Sequence, residues 1–285
     1  MTKKTVSVSI VAANYNNGKY LTDFINSIND STVLPKELII VNDGSTDNSL
    51  EILDSFSNLN YLQIIDLKEN VGFCNALNQG LDIATSKYIL RADPDDIVTE
   101  NRIETQYNYL EQAPQVDVVG SNAFYFNNTS HQEIFKTNFL KGHSAIKKRY
   151  LKGEHGVLHA TTMIKNKVMK KYRYDQENVR AEDYEIFSKI IADGYTFANI
   201  STPLYGVRIH TDSASTNIEY STIEKTFKIR DEIFNTSTSK IKMHFYFWYI
   251  LNYRRFLISQ NFLLKPMYLF LSVLFYPSKL IKRLL

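Results

Sequence analysis

Short apolar blocks alternate with polar turns and amphipathic stretches through the first 120 residues of the chain. The blocks at 6–12, 38–41, 61–65 and 88–90 are brief and largely aliphatic, which predicts buried strands. Between them, apolar side chains recur at helical spacing. Leu21, Phe24, Ile25 and Ile28 define one such face, Leu50, Ile52, Leu53 and Phe56 a second, and residues 72–84 a third helix. Strands and helices taking turns predict an α/β fold, with a mainly parallel central sheet flanked by helices.

The pattern loosens after residue 116. Residues 116–126 read as extended, 141–152 as a short basic helix and 159–164 as a strand. Arg180-Ala181-Glu182-Asp183 opens a helix whose apolar face is Tyr184, Phe187, Ile190 and Ile191, and Gly194 ends it. Residues 197–200 and 204–209 read as two short closing strands. From about 216 the chain turns helical, then aromatic and aliphatic. Its two apolar runs are interrupted by Asn252, Arg254-Arg255 and Pro277, and each falls well short of the roughly 20 residues that cross a bilayer.

Connectivity places the candidate chemistry. In open α/β sheets a ligand sits outside the C-terminal ends of the strands. The polar turns 14–18, 42–47 and 91–96 all occupy such ends, so they converge on one crevice. Asp93, Asp95 and Asp96 crowd the third turn. Like charges this close resist ionising together, and oxygen ligands that leave room for a phosphate suit Mg²⁺ or Mn²⁺. An acidic turn capping the next helix is the plainer alternative. Asp43 in the Asp-Gly turn can accept from a nucleobase or ribose, or simply shape the loop. Gly72 lets helix-start amides approach a phosphate, while Asn78 and Gly80 are as readily helix-surface residues. Asp183 at a helix N-terminus is favoured in its ionised form, as a general base requires, although capping explains it too. His210 could join a metal or diphosphate, and Arg208 could serve as a phosphate cation.

Composition narrows the classes. The chain has 285 residues, 44% of them hydrophobic, enough for one large α/β domain with an appendage. Cys74 is the only cysteine, which excludes an internal disulfide and a Cys-based zinc site and suits a reducing, cytoplasmic setting. Nothing at the N-terminus resembles a secretory signal. The net charge is only +3, yet residues 241–285 carry seven Lys and Arg and no acid. The body is therefore net acidic, which argues against nucleic acid as a partner. The tail suits interfacial helices held to anionic lipid.

Taken together, the turns match a known order. Val8 through Asn16, Asn42-Asp43-Gly44-Ser45-Thr46-Asp47, Asn70-Val71-Gly72 through Gly80, Asp93-Pro94-Asp95-Asp96 and Glu182-Asp183 resemble the family 2 glycosyltransferases. The resemblance covers roughly residues 5–212. It implies a GT-A, Rossmann-like fold and inverting sugar transfer from a nucleoside-diphosphate sugar, a UDP-sugar foremost, with Mn²⁺ or Mg²⁺ as cofactor. It further implies that Ala12, Asn14, Tyr15, Asp43, Gly72, Asn75 and Asp93 contact the donor nucleotide. Asp95 and His210 would hold the metal, with Asp96 as the alternative to Asp95, Asp183 would be the catalytic base, and Glu182 and His159 would lie on the acceptor side. Residues 1–120 become the nucleotide-sugar half, 121–215 the acceptor half of the same domain, and 216–285 a membrane-associating appendage. The acceptor is expected to be a glycan or a polyprenyl-diphosphate-linked sugar at the inner face of the cell membrane, in cell-surface polysaccharide synthesis. Two positions depart from the family pattern. Asn42 replaces the first acid of the Asp-Asp-Gly-Ser turn, and only Lys189 stands for a basic residue late in the Glu-Asp helix. A sugar nucleotidyltransferase is a competing reading, but no glycine loop rich in Lys or Arg follows the first strand. A non-catalytic membrane-tethered scaffold is another, and the intact acids speak against it.

Overall fold

A computed structural model describes residues 3–210, 218–259 and 261–277. In chain order the elements begin with strand β1 (Thr5–Asn14), helix α1 (Gly18–Asn29), β2 (Leu34–Asn42), α2 (Ser49–Ser55) and β3 (Leu62–Asp66). Next come α3 (Phe73–Ile83), β4 (Tyr88–Arg91), β5 (Ile97–Val98), α4 (Arg102–Gln112), β6 (Val118–Asn127) and β7 (Glu133–Lys136). They are followed by α5 (His143–Tyr150), β8 (Met163–Lys165), α6 (Asn166–Met169), α7 (Glu182–Ala192) and β9 (Phe197–Ile209). Three helices close the described chain: α8 (Tyr220–Phe234), α9 (Lys240–Ile258) and α10 (Leu264–Phe275).

The strands form one sheet in the order β3-β2-β1-β4-β8-β6-β9-β5, with β7 on the side of β6. The pairs among β1, β2, β3 and β4 are parallel, as βα alternation predicts. Beyond β4 the sheet is mixed. β8 runs antiparallel to both β4 and β6, whereas β6 and β9 run parallel. Residues 159–164 divide into a 3-10 turn at His159–Thr161 and the short β8. The two closing strands expected near 200 are one 13-residue strand, β9, whose register against β6 slips beside Pro203.

Strand alternation sorts the core onto two faces. Val11, Ile39 and Val41 pack with Cys74 and Leu77 of α3 and Tyr184 and Phe187 of α7. Ile10, Ala12, Leu38 and Ile40 pack with Leu21, Phe24, Ile25 and Ile28 of α1. Each Val, Leu, Ile or Phe among them, removed wholly from water, contributes about 1.5–3 kcal/mol. In α2 only Leu53 of the four expected apolar positions is buried, and Leu50 faces solvent. α8 and α9 build a separate cluster around Phe227, Met243, Tyr246 and Tyr249.

Candidate active site

The turns after β1 and β2 are stitched to each other. Asn16, at φ 53°, accepts the backbone N–H of Thr46 (2.8 Å) and Asp47 (3.3 Å) on its Oδ1, and Asp47 accepts the Gly18 N–H (2.9 Å). Asn42 looks inward. Its Oδ1 accepts from Asn14 Nδ2 (2.9 Å) and its Nδ2 donates to Asp66 Oδ1 (2.7 Å), so it ties β1 to β3. An acid in its place would lose the donor that Asp66 uses.

Asp43 is almost fully buried and accepts the N–H of Val71 (2.7 Å) and of Gly72 (3.1 Å). The Gly72 amide expected to face a phosphate is thus already engaged by Asp43. Gly72 sits at φ 94°, where a β-carbon would run into Gln176. Asn75 turns its side-chain N–H to the Val71 carbonyl (2.9 Å) and stays solvent-exposed. Asn78 exchanges two hydrogen bonds with the backbone of Tyr174 (2.8 and 3.0 Å), and Gly80 lets α3 press onto Val11. Asn78 and Gly80 therefore act in packing.

The acidic turn separates its three carboxylates. Asp93 is hydrogen-bonded by the buried Arg91 guanidinium, and its own N–H donates to the Tyr205 hydroxyl (2.8 Å). Burial pushes Asp93 up, Arg91 opposes this, and Asp95 adds to it. Asp96 turns into the protein, where its Oδ1 accepts the Arg208 N–H (2.8 Å). Burial and the neighbouring Asp95 and Asp93 push its carboxyl far above the carboxylate range. Asp95 faces out, with Oδ2 3.0 Å from His210 Nε2. Arg208 braces the turn by donating to the Asp95 carbonyl (2.8 Å) and to Asp23 (2.9 Å). Beneath it, Arg102 of α4 donates to the carbonyls of Arg91 (2.8 Å) and Ala160 (2.9 Å), and burial lowers its pKa to about 10.

Glu182 and Asp183 start α7 in contrasting states. Burial, with the Asp183 charge beside it, raises Glu182 to about 7. Its Oε2 is buried and meets no hydrogen-bond partner among the described residues. Burial would raise Asp183 as well, but His155 outweighs it, with Nε2 3.3 Å from Oδ1 and 3.2 Å from Oδ2. The Tyr184 N–H adds a 2.7 Å bond, so Asp183 is held well below the usual carboxylate range. His159 is buried against the Tyr174 hydroxyl (2.7 Å), and burial lowers it to about 3, so it is neutral near pH 7. Lys189 pairs with Glu185 one turn below (2.6 Å).

These groups border one cavity of about 480 Å³. Asn14, Tyr15, Asp43, Asp93, Asp95, His159, Glu182 and Asp183 line it, and His210 stands behind Asp95. Ala12 does not line it: strand alternation turns Ala12 toward α1, and Ala13 takes the cavity side. Gly72 and Asn75 also lie outside the lining, where the flanking Asn70 and Phe73 contribute instead. Tyr125, Arg180 and His155 carried no motif and were not singled out from the sequence. Arg180 sits at φ 72°, lines the cavity and pairs with Glu219.

Comparison with known proteins gives the chain its family and its fold. The family model described as glycosyl transferase family 2 matches residues 9–173. An uncharacterized glycosyltransferase of Methanocaldococcus jannaschii is 31% identical over 86% of this chain and 85% of its own length. The Escherichia coli UDP-Gal:alpha-D-GlcNAc-diphosphoundecaprenol beta-1,3-galactosyltransferase is 29% identical over 91% of this chain and 90% of its own. Among solved structures, S. aureus TarS 1–349 in complex with UDP-GlcNAc superposes with a TM-score of 0.66 at 20% identity, covering 95% of this chain and 80% of that one. The fold is therefore GT-A, and the chain belongs to glycosyl transferase family 2. It is a glycosyltransferase.

Proposed function

We propose that the protein is an inverting transferase that moves a hexosyl or N-acetylhexosaminyl group from a UDP-sugar to a hydroxyl of a glycan or lipid-linked acceptor during cell-surface polysaccharide assembly. One observation carries this reading: Asp43, Asp93, Asp95 and Asp183, from three separate segments, line a single cavity. The UDP-GlcNAc bound by the TarS neighbour and the UDP-galactose used by the E. coli relative support the donor class. An amylovoran biosynthesis glycosyltransferase of Erwinia amylovora, 28% identical over 72% of this chain, supports the polysaccharide setting.

In this reading Tyr15 and Asn14 flank the nucleobase, and the carboxylate oxygens of Asp43 and Asp93 accept hydrogen bonds from base N–H or ribose O–H groups. The metal donor set is one carboxylate and one imidazole, Asp95 and His210, at hydrogen-bonding distance from each other. No group of three or more acidic, His or Cys side chains able to hold a metal occurs among the described residues. Asp95 would offer a hard carboxylate oxygen and His210 a borderline imidazole nitrogen, donors that would suit Mn²⁺ or, through the carboxylate, Mg²⁺. When bound, such an ion neutralises charge on the leaving diphosphate. Arg180 at the cavity wall presents a guanidinium that Glu219 holds in place. Asp183, kept ionised and oriented by His155, removes the proton of the acceptor hydroxyl as its oxygen bonds to C1. The C1–O bond to the diphosphate breaks on the opposite face, and one displacement inverts the anomeric centre.

The C-terminal helices support peripheral membrane contact at the cytoplasmic face. Phe245, Trp248, Phe262, Leu263, Met267 and Phe270 are all exposed, and basic side chains flank them without acids. Among the described residues no helix is long and apolar enough to cross a membrane.

A screen of UDP-, GDP- and dTDP-sugars by thermal melting tests the donor assignment. A UDP-sugar with Mn²⁺ should raise the melting point most, because a ligand of the folded state alone stabilises it. Stabilisation by none of them would refute the reading.

A further inference from the structure

A second hollow, of about 280 Å³, lies near the C-terminal end of α9 and has an unusual lining. Arg254, Arg255, Ser259 and Tyr268 supply its polar wall, and Ile218, Leu251 and Ile258 its apolar one. Two guanidinium groups and no acid among these residues make it an anion site, since Arg forks match phosphate oxygens. Arg255 is exposed and stands 5.9 Å from the centre of the Tyr268 ring.

α9, which supplies Arg254 and Arg255, packs on the part of the sheet that borders the catalytic cavity. Its contact is with β7, the neighbour of β6, and β6 carries Tyr125 of the cavity lining. Arg254 lies near enough to Tyr125 and Asp183 for their charges to act on it, against the burial that depresses its pKa. On its other side the hollow meets the turn between α9 and α10, where Phe262 and Leu263 are among the most exposed apolar side chains of the described chain. Lys265 follows, close to the Phe256 ring. Along the chain, Arg254, Arg255 and Ile258 end α9, and the bare apolar Phe262 and Leu263 follow them.

We infer that this hollow is the subsite for the phosphate groups of the acceptor, and that the acceptor is a sugar on the diphosphate of a long-chain lipid. Arg254 and Arg255 grip the diphosphate, the sugar extends toward Asp183, and the chain passes over residues 262–264 into the bilayer. This rests on the transferase reading above and gives its acceptor a chemical class and named contacts.

The full chain, saturated with UDP and excess Mn²⁺ so that the nucleotide site is filled, is titrated with farnesyl diphosphate, farnesol and inorganic pyrophosphate. The Arg255→Gln and Arg254→Gln variants are run in parallel. Farnesyl diphosphate should bind about 10-fold or more tighter than either half alone, and each variant should weaken it about 10-fold while keeping the UDP-induced rise in melting point. Arg255 is on the surface, so that variant isolates the charge from any folding defect. Unchanged farnesyl diphosphate binding in Arg255→Gln, or equal binding of farnesol or of pyrophosphate, would overturn the proposal while UDP stabilisation stays intact. Absence of UDP stabilisation in the wild type would instead defeat the transferase reading, and this one with it.

Discussion

Glu182 holds its proton to about pH 7 because burial and the adjacent Asp183 charge disfavour its ionisation. The folded state therefore binds a proton that the unfolded chain releases near 4.5. Stability from this group is full below the unfolded value and erodes as pH rises toward about 7. A Glu182→Gln variant should lose that slope. Its melting point, compared with wild type at pH 5 and pH 8, should gain ground at pH 8, and an identical pH dependence would contradict the assignment. Asp183 has the opposite sign. Its depressed pKa means that it remains ionised, and contributes stability, until pH falls well below the usual carboxylate range. The acid limb of turnover above pH 5 should therefore not come from protonation of Asp183. The sequence singles out Asp43, Asp93, Asp95 and Asp183 through the order of their motifs, since each alone reads equally as a turn or cap residue, and all four line the cavity. It did not identify His155 or Tyr125, since their roles come from contacts across the fold that no spacing records.

Helices α1, α3 and α7 follow the apolar periodicity closely, because each covers a sheet face already fixed by strand alternation. The second half of the sheet was harder to read. β9 runs unbroken through Ser201, Thr202 and Pro203, which interrupt its apolar pattern, because a register slip against β6 absorbs the proline. The antiparallel β8 is only three residues long, below what periodicity resolves. Close packing of α3 on β1 is testable at Gly80, where a β-carbon would lie 2.7 Å from Val11 Cγ1. Gly80→Val should overpack this contact and lower stability by roughly 1–3 kcal/mol, read from denaturant midpoints. A neutral result would mean that the helix is free to shift.

For the whole molecule, an acidic catalytic body is joined to a basic, aromatic tail. The composition of the tail was plain in the sequence, whereas its packing was not. α8 and α9 join through Phe227 and Tyr246, and α10 folds back so that Trp248 stacks on Phe275. A chain ending near residue 236 should lose co-sedimentation with anionic liposomes while still gaining thermal stability from UDP. Full retention of liposome binding would place the membrane contact elsewhere. The central claim is that one cavity gathers the donor's diphosphate beside an ionised base. The most direct measurement pairs sugar-transfer rate with UDP-induced melting shift in Asp183→Asn. The account predicts a loss of about 10²–10⁴-fold in kcat with the UDP shift preserved. Transfer at the wild-type rate, with the amide in place of the carboxylate, would contradict it.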